Sequence, residues 1–355
     1  MLGSFPDRYL EELRGQPVAL RRAAAGLGQQ LPTLRRLAQV AGSGPIVFTG
    51  MGGSYAVCHV PVTELAGQGR QAAMVDAAEL VDFRRPMLSP ETLLVAVSQS
   101  GKTAEVVRLI QTLRTEANRP QVLSVTNGLT NELARGSDLT LDTRAGPELG
   151  PSSLTFGAAL VTLSALALVA AGESAESAAA KIQVAADQAA AAAENLLRRQ
   201  RELTLELRGW LGDHSVLALL GRGSARAATE MGALLLKEAA RFPAESLETA
   251  QFRHGPLELS GPETTVAIVA TETTTTDLDQ ALADELVEAG TTVLVISPDG
   301  TGPDAAMRVA SGQLERSLAP AVAVIPFQLL AGALAGERGL DPCALKRASK
   351  VTSRE

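Results

Sequence analysis

Cysteine and histidine are scarce in this sequence of 355 residues, which contains two cysteines, Cys58 and Cys343, and three histidines. Two cysteines so far apart do not form a disulfide framework, and no cysteine or histidine cluster has the spacing of metal ligands. We therefore expect no structural disulfide, no metal and no other cofactor. The low cysteine content is typical of a cytoplasmic protein in a reducing compartment.

Excess positive charge and long apolar runs are also lacking. The formal net charge is −7, which disfavours binding to nucleic acid or to an anionic membrane. The first residues lack a basic region followed by an apolar run, so we expect no signal peptide. The most apolar stretch, residues 156–172, is shorter than the roughly 20 residues needed to span a bilayer. We predict a buried helix there and no membrane partner.

Short apolar runs alternate with helical patterns along the chain. The runs at residues 45–49, 93–97 and 122–125 each end in a turn rich in glycine, serine or threonine, and helical segments follow. Alternating strand, turn and helix predict a parallel sheet with helices on both faces.

The same plan recurs in the second half of the chain. Ser54 and Ser224 are 170 positions apart, and the turns after the next two strands repeat at offsets of 172 and 171. A constant offset predicts duplication of a whole α/β domain. We predict an N-terminal helical segment (1–40) broken at residues 15–17 and at Pro32, a first domain (41–173), a linking helix (174–208), a second domain (209–340) and a C-terminal tail (341–355).

The strongest chemical signal is Ser98-Gln99-Ser100-Gly101-Lys102-Thr103, which joins a predicted strand to a predicted helix. Ligands bind at the carboxyl ends of the strands in an open parallel sheet. Hydroxyl and amide donors at a helix N-terminus suit a phosphate monoester. The alternative is a capping turn in which serine and threonine satisfy helix amides. Four such donors in six residues favour the phosphate site.

Two nucleotide motifs are excluded by single positions. A P-loop ending at Gly101-Lys102-Thr103 would need glycine where Ala96 stands. A dinucleotide motif opening at Gly50 would need its third glycine where Tyr55 stands. The glycines still indicate close approach of the backbone to a ligand, with Ser54 as a further donor.

The second copy of the loop differs from the first. It reads Ala270-Thr271-Glu272 where the first copy has Ser98-Gln99-Ser100. A carboxylate in that turn would repel phosphate. We therefore expect one phosphate pocket per chain, in the first domain.

The second domain offers a candidate acid–base residue instead. Glu238 ends an almost wholly apolar helix, and apolar surroundings raise a carboxyl pKa towards neutrality. The alternative is an ordinary carboxylate paired with Lys237. His254 precedes Gly-Pro and is expected in a turn, whereas His59 and His214 are interpreted as structural.

Together these strings resemble the sugar isomerase (SIS) family, in particular the isomerase half of glucosamine-6-phosphate synthase and the SIS-type glucosamine-6-phosphate deaminases. The resemblance covers nearly the whole chain. It implies a fold of two tandem SIS domains, each a three-layer α/β/α, flavodoxin-like unit. It is carried by residues 12–17, 52–54, 98–103, 146–150, 236–238, 253–256 and 349–352.

The resemblance also implies roles for individual residues. Glu238 would move a proton between C1 and C2 of the sugar. His254, contributed by the partner subunit of a homodimer with shared active sites, would open the sugar ring. Lys350 would form a Schiff base at C2, where the alternative is a solvated basic tail. The substrate-binding residues would be Gly52, Gly53, Ser54, Ser98, Gln99, Ser100, Thr103 and Ser153.

Two positions depart from the family pattern, since Leu235 and Thr155 stand where the family has lysines. The sequence also shows no counterpart of the glutaminase half. We therefore expect an isomerase/deaminase that converts glucosamine 6-phosphate to fructose 6-phosphate and ammonia, or a related isomerase. Two alternatives stay open, a fructosamine-6-phosphate deglycase and a non-catalytic regulator that binds sugar phosphate.

Overall fold

In the computed structural model, which describes residues 7–347 and 350–352, the chain divides into two compact units. The first-sheet unit contains residues 18–148, 154–187 and the described residues from 346 onward. The second-sheet unit contains residues 7–17, 149–153 and 188–345. Ser349 of the expected closing motif lies outside the described residues, as do 1–6 of the predicted N-terminal segment and 348 and 353–355 of the predicted tail.

The first-sheet unit is built on a parallel sheet with the strand order β2-β1-β3-β4-β5. Every residue of the first and third strands is buried. Continuous apolar runs of this kind are typical of strands covered on both faces. The strands are β1 (Ile46–Thr49), β2 (Ala72–Met74), β3 (Leu93–Val97), β4 (Gln121–Thr126) and β5 (Leu139–Asp142).

Helices cover this sheet with amphipathic faces. Helix α6 (Ala104–Leu113) buries Val106, Leu109 and Leu113 in a cluster that includes the sheet residues Leu94 and Val122. The other helices are α2 (Leu31–Val40), α3 (Gly53–Ala56), α4 (His59–Gly67), α5 (Ala77–Glu79), α7 (Glu132–Gly136) and α8 (Leu154–Ala170), with a π turn at Leu80–Arg84 and a 3₁₀ turn at Arg85–Met87.

The second-sheet unit repeats the same topology, in the order β10-β9-β8-β6-β7. When these five strands are renumbered from β6 and read from the β7 edge, the order is 2-1-3-4-5, which is the flavodoxin-like order of the first sheet. Its strands are β6 (Leu217–Gly221), β7 (Ala244–Glu248), β8 (Thr265–Val269), β9 (Thr292–Ser297) and β10 (Met307–Ala310). The predicted duplication of an α/β domain is confirmed.

The helices of the second half follow the same alternation. They are α10 (Gln200–Leu211), α11 (Arg226–Ala240), α12 (Thr249–Phe252), α13 (Thr276–Glu288), α14 (Ala319–Ala323) and α15 (Ile325–Glu337), with 3₁₀ turns at Gly223–Ala225, Pro256–Leu259 and Thr273–Thr275. Helices α1 (Asp7–Gln29) and α9 (Ala175–Arg198) complete the described set.

The predicted break at residues 15–17 is wrong, because α1 continues through Pro17. A proline inside a helix leaves the carbonyl four residues earlier without its amide donor. Here the Gln16 side-chain amide donates to that carbonyl, on Leu13, at 3.1 Å. The break predicted at Pro32 falls two residues earlier, at Gln30, because α2 begins at Leu31 and contains Pro32 in its first turn.

The predicted linking helix is two helices, α9 and α10, which meet at Arg199. Composition could not mark this break, because the residues around it are strong helix formers.

The helix predicted at residues 156–172 is α8, and it is almost entirely buried as expected. The sequence reading missed a second apolar stretch. Among the described residues, one segment, Ala319–Glu337, has the length and hydropathy to cross a membrane, and 94% of its apolar window is buried inside the protein. Burial of that extent is what a core helix shows.

Candidate functional site

The loop from Ser98 to Thr103 joins β3 to α6 and is held by its own hydroxyl groups. The Ser98 and Thr103 hydroxyl oxygens lie 2.8 Å apart. The Gly101 amide donates to Ser98 Oγ at 3.1 Å, and the Lys102 amide donates to Ser100 Oγ at 3.2 Å. Gly101 has φ +62°, and a Cβ there would overlap the Asn131 side chain. Glycine is therefore required for this turn.

The hydroxyl groups of this loop do not cap the following helix. Thr103 is the N-cap residue of α6, yet its side chain makes no capping hydrogen bond. The Ala104 amide donates instead to the Thr352 carbonyl at 3.0 Å. The capping alternative therefore does not describe Thr103, whose hydroxyl bonds Ser98.

The turn after β1 approaches the same loop. The Gln99 amide donates to Ser54 Oγ at 3.4 Å. A Cβ on Gly50 would lie 2.9 Å from the Val97 carbonyl oxygen, so only glycine allows the two backbones to come this close. The structure thus brings Ser54 and Gln99 together at the carboxyl end of the sheet, as expected for neighbouring parallel strands.

Exposure separates these hydroxyl groups into two kinds. Ser98 is 1% exposed, whereas Ser54, Ser100 and Thr103 are partly exposed. Ser98 and Thr103 have two hydroxyl protons and share one mutual bond, so one proton of the pair can be donated to a ligand. Ser54 Oγ and Ser100 Oγ accept backbone amides, which leaves each hydroxyl proton able to donate as well.

A buried carboxylate that sequence reasoning missed lies at the start of α8. Thr155 donates its hydroxyl to Glu148 Oε2 at 2.6 Å and its amide to Glu148 Oε1 at 3.2 Å. Lys350 Nζ donates to Glu148 Oε2 at 3.0 Å. The Lys350 side chain is 23% exposed and that of Glu148 is 0% exposed. The only signal in the sequence was the position of Glu148 within the Gly146–Gly150 string.

Most of the remaining predicted residues lie in the second-sheet unit. Glu238 is half-buried in the last turn of α11, while Leu235 on the same helix is fully buried. Lys237 pairs with Glu245 at 3.4 Å. His254 is exposed after α12, and Ser153 is buried. Gly52 is exposed at φ +54° and Gly53 begins α3; both belong to the first-sheet unit.

The counterpart of the Ser98–Thr103 loop in the second-sheet unit contains a buried carboxylate, that of Glu272. The Ser224 amide donates to Glu272 Oε1 at 2.8 Å, and Arg316 Nε lies 3.8 Å from Glu272 Oε2. Glu272 is 5% exposed. Its carboxylate therefore accepts a backbone amide of the turn after β6, a contact that the sequence did not predict.

The second-sheet unit also contains a largely buried ion pair between Arg222 and Asp279. Arg222 Nε donates to Asp279 Oδ1 at 2.8 Å, and the Asp279 side chain is 2% exposed. Burial raises the pKa of Asp279, although the hydrogen bond and charge of Arg222 act in the opposite direction. Arg222 also reaches Glu248 at 3.4 Å.

Histidines and acidic groups give no metal centre among the described residues, where no group of three or more His, Cys, Asp or Glu side chains could hold an ion. His214 bonds the carbonyls of Leu211 and Pro262 through its two ring nitrogens, at 2.8 and 2.9 Å. These carbonyls raise its pKa, the Pro262 bond most.

Comparison with known proteins agrees with this architecture. The SIS domain model matches residues 40–172 and 213–337. The chain belongs to the SIS domain family, with one copy of the domain for each sheet.

Particular relatives extend the comparison along most of the chain. Glutamine–fructose-6-phosphate aminotransferases (isomerizing) are 29% identical over 99% of this chain in Aeropyrum pernix and 28% identical over 96% in Bacillus subtilis. The chain spans 58% and 57% of the length of these two curated relatives.

Two solved structures share the fold. The C-terminal domain of glucosamine-fructose-6-phosphate aminotransferase from Francisella tularensis matches with a TM-score of 0.84 and 22% identity, covering 94% of this chain and 97% of that one. Glucosamine-6-phosphate deaminase from Thermotoga maritima matches with a TM-score of 0.73 and 21% identity, covering 97% and 99%.

Proposed function

We propose that this protein is an amino-sugar-phosphate isomerase/deaminase that binds the 6-phosphate of its substrate in the Ser98–Thr103 loop. The substrate would be glucosamine 6-phosphate, converted to fructose 6-phosphate and ammonia. The chemistry is proton transfer between C1 and C2 of the open-chain sugar, joined to exchange of the amine for oxygen. Membership of the SIS family and the names of the relatives support this choice of substrate class.

The observation that carries the proposal is the arrangement of hydroxyl groups at the end of β3. Thr103 does not cap α6, and Ser54 and Ser100 have hydroxyl protons that can point to a ligand. Neutral hydroxyl and amide donors bind a phosphate dianion through charge-assisted hydrogen bonds. Ser98, which is buried, would support Thr103 and Gly101 from behind rather than form the outer surface of the site.

Glu238 is the proposed proton carrier. It is half-buried on a helix whose neighbouring residues Leu235 and Leu236 are fully buried. Its sequence neighbour Lys237 is paired with Glu245, so the alternative of a Glu238–Lys237 pair has little support. A positioned carboxylate can remove a proton from C2 and return it to C1.

His254 is proposed to act in the active site of a partner subunit. Its exposure leaves its ring accessible for that role. It would transfer a proton to the ring oxygen as the sugar opens. The homodimer and the cytoplasmic location are parts of the same proposal.

Lys350 is proposed to act on C2 from a position set by Glu148. The ion pair with this buried carboxylate holds the ammonium group at one place on the first-sheet unit. On loss of a proton, the amine would attack the C2 carbonyl of the ketose, and water would leave as the imine forms. Glu148 would act as a positioning residue.

The function is tested by incubating the protein with glucosamine 6-phosphate, fructose 6-phosphate with ammonia, and a phosphorylated fructosamine, while ammonia and ketose are measured. We expect ammonia and fructose 6-phosphate from glucosamine 6-phosphate, and loss of both in Glu238→Gln. Release of an amino acid from the fructosamine, with no reaction of glucosamine 6-phosphate, would identify a deglycase. Binding without any turnover would contradict an enzyme.

Lys350 is tested by borohydride reduction in the presence of fructose 6-phosphate, followed by peptide mass mapping. We expect a sugar adduct on Lys350, and a weaker adduct in Glu148→Gln, where the amine is no longer held. Absence of an adduct, together with near wild-type turnover of Lys350→Met, would remove Lys350 from the mechanism.

A further inference from the structure

The loop after β8 has most of the features of the phosphate loop after β3. It follows a fully buried parallel strand and leads into a helix of 13 residues, α13. At the offset of 172, residues 270–275 correspond to residues 98–103, and four of these six are threonines, so the second loop is at least as rich in hydroxyl groups as the first. Three positions differ in kind: Ala270 replaces Ser98, Thr273 replaces Gly101, and the acidic Glu272 stands 172 positions after Ser100.

The Glu272 carboxylate accepts a hydrogen bond from a backbone amide of the neighbouring turn. Its Oε1 accepts the Ser224 amide at 2.8 Å, and Ser224 corresponds to Ser54 in the first copy. Backbone amides at the carboxyl ends of strands bind anions, and here the anion is a side chain of the protein. The carboxylate is 5% exposed, so it lies inside the site and not at its rim.

Two further groups point to an anion at this place. Arg316 Nε lies 3.8 Å from the second carboxylate oxygen of Glu272. The Ser224 hydroxyl is 1% exposed at residue level and has no hydrogen-bond partner among the described residues. A buried hydroxyl without a partner is costly, and a ligand oxygen would satisfy it.

We propose that the second-sheet unit contains a second oxyanion site, occupied by the Glu272 carboxylate as an internal ligand. A phosphate group would bind to the Ser224 amide and hydroxyl and to Arg316 once this carboxylate is removed. The inference does not depend on the phosphate site after β3. In the wild-type protein the internal carboxylate excludes external phosphate.

The test introduces the first-copy residue into the second copy with Glu272→Ser. Binding of inorganic phosphate is counted by isothermal titration in two parents, the wild type and the Ser98→Ala/Ser100→Ala double variant. We expect Glu272→Ser to add one phosphate per chain in both parents. The Ser98→Ala/Ser100→Ala parent makes this test independent of the proposed function. The site added by Glu272→Ser must bind phosphate in this parent too, whether or not residues 98–103 bind phosphate in the wild type.

Two control variants define the new site. Glu245→Ser removes the same charge from an exposed position of the same unit, and we expect it to add no phosphate. Adding Arg316→Met to Glu272→Ser should weaken the new binding at least tenfold. If Glu245→Ser gains the same binding, general loss of negative charge and not a site explains the result.

Amide hydrogen exchange at Ser224 locates the ligand. In wild type we expect slow exchange that phosphate does not change. In Glu272→Ser we expect faster exchange that phosphate slows at least tenfold. A folded Glu272→Ser protein with no added phosphate in either parent, and no effect of phosphate on Ser224, would overturn the proposal.

If Glu272→Ser does not fold, Glu272→Gln is measured in its place, because it keeps the shape of the side chain and removes its charge. A neutral amide near Arg316 is displaced by phosphate more easily than a carboxylate. We therefore expect phosphate to slow Ser224 exchange in Glu272→Gln and not in wild type. No phosphate effect in folded Glu272→Gln would overturn the proposal equally.

Discussion

The two sheets of this protein have the same strand order, yet the loops at their carboxyl ends use opposite chemistry. In the first-sheet unit, Ser98 and Thr103 bond each other and the loop contains no acidic residue. In the second-sheet unit, the Glu272 carboxylate accepts the backbone amide of Ser224. Glu272 stands where the first copy has Ser100, and its carboxylate is itself bound to a backbone amide of the protein.

Both units pair cations with buried carboxylates. Arg222 pairs with Asp279 in the second-sheet unit, and Lys350 pairs with Glu148 in the first-sheet unit. The proposed difference between the two copies therefore lies in the loops and not in the topology of the sheets. One copy would bind the phosphate and the other would contribute the proton carrier Glu238.

The largest expected effect is on turnover, through the second-sheet unit. Glu238→Gln removes the proton carrier, and general acid–base catalysis typically contributes 10²–10⁴-fold to rate. We expect a loss of about that size in kcat with sugar-phosphate affinity unchanged, because the proposed phosphate-binding loop lies in the other copy. Steady-state kinetics and a direct binding titration measure the two quantities. Loss of sugar-phosphate binding in Glu238→Gln would contradict the assignment of binding to one copy and proton transfer to the other.

The proposed sharing of an active site between two subunits is tested with two inactive variants. Glu238→Gln and His254→Ala are mixed under conditions in which subunits exchange. Mixed dimers would contain one intact site, so we expect recovery of part of the wild-type activity. No recovery, when exchange is proven by differently tagged subunits, would exclude a site shared between subunits.

Stability should also differ between the two copies. Arg222→Met leaves the Asp279 carboxylate, 2% exposed, without its cation, and we expect a loss of about 3–5 kcal/mol in the free energy of unfolding. Arg119→Met in the first-sheet unit breaks a pair with Asp138 whose side chains are 28% and 25% exposed, and we expect a loss closer to ~1 kcal/mol. Urea unfolding compares the two, and equal losses would contradict the contrast in burial.

The pH dependence of stability should have opposite signs at these two aspartates. Arg119 lowers the pKa of Asp138 through its hydrogen bonds, so this carboxylate stabilises the fold above pH ~4 and that contribution is lost as the pH falls below it. Burial raises the pKa of Asp279, so its contribution becomes less favourable as the pH rises above ~4.

Asparagine substitutions separate the two contributions. In unfolding titrations between about pH 3 and 6, Asp138→Asn should flatten the rise of stability with pH, and Asp279→Asn should steepen it. Changes of the same sign in both variants would show that the two carboxylates do not differ in the way their burial indicates.

Much of the fold could be predicted because the central strands are continuous apolar runs. The strands at residues 46–49, 93–97 and 265–269 are buried throughout and end at recognisable turns. The edge strands were missed. Ala72–Met74 has three residues and is only partly buried, and Met307–Ala310 contains one buried residue. Short, half-exposed strands do not have the apolar pattern that identified the central ones.

The local contacts of the candidate site were predictable where its residues are close in the chain. Residues 98–103 form one string, and the structure shows their mutual hydrogen bonds. The contact of Lys350 with Glu148 spans 202 positions and that of Arg222 with Asp279 spans 57. Such pairs arise from the folded arrangement of strands and helices, and no local pattern in one sequence indicates them.

The central claim is that the first loop binds the phosphate of the substrate and the second does not. Isothermal titration of glucosamine 6-phosphate into the wild type, Ser100→Ala and Ser98→Ala/Ser100→Ala tests this most directly. We predict one sugar phosphate per chain in the wild type, an affinity loss of ~1–3 kcal/mol in the single variant, and no measurable binding in the folded double variant. Two sugar phosphates per wild-type chain, or unchanged binding in the double variant, would contradict the account.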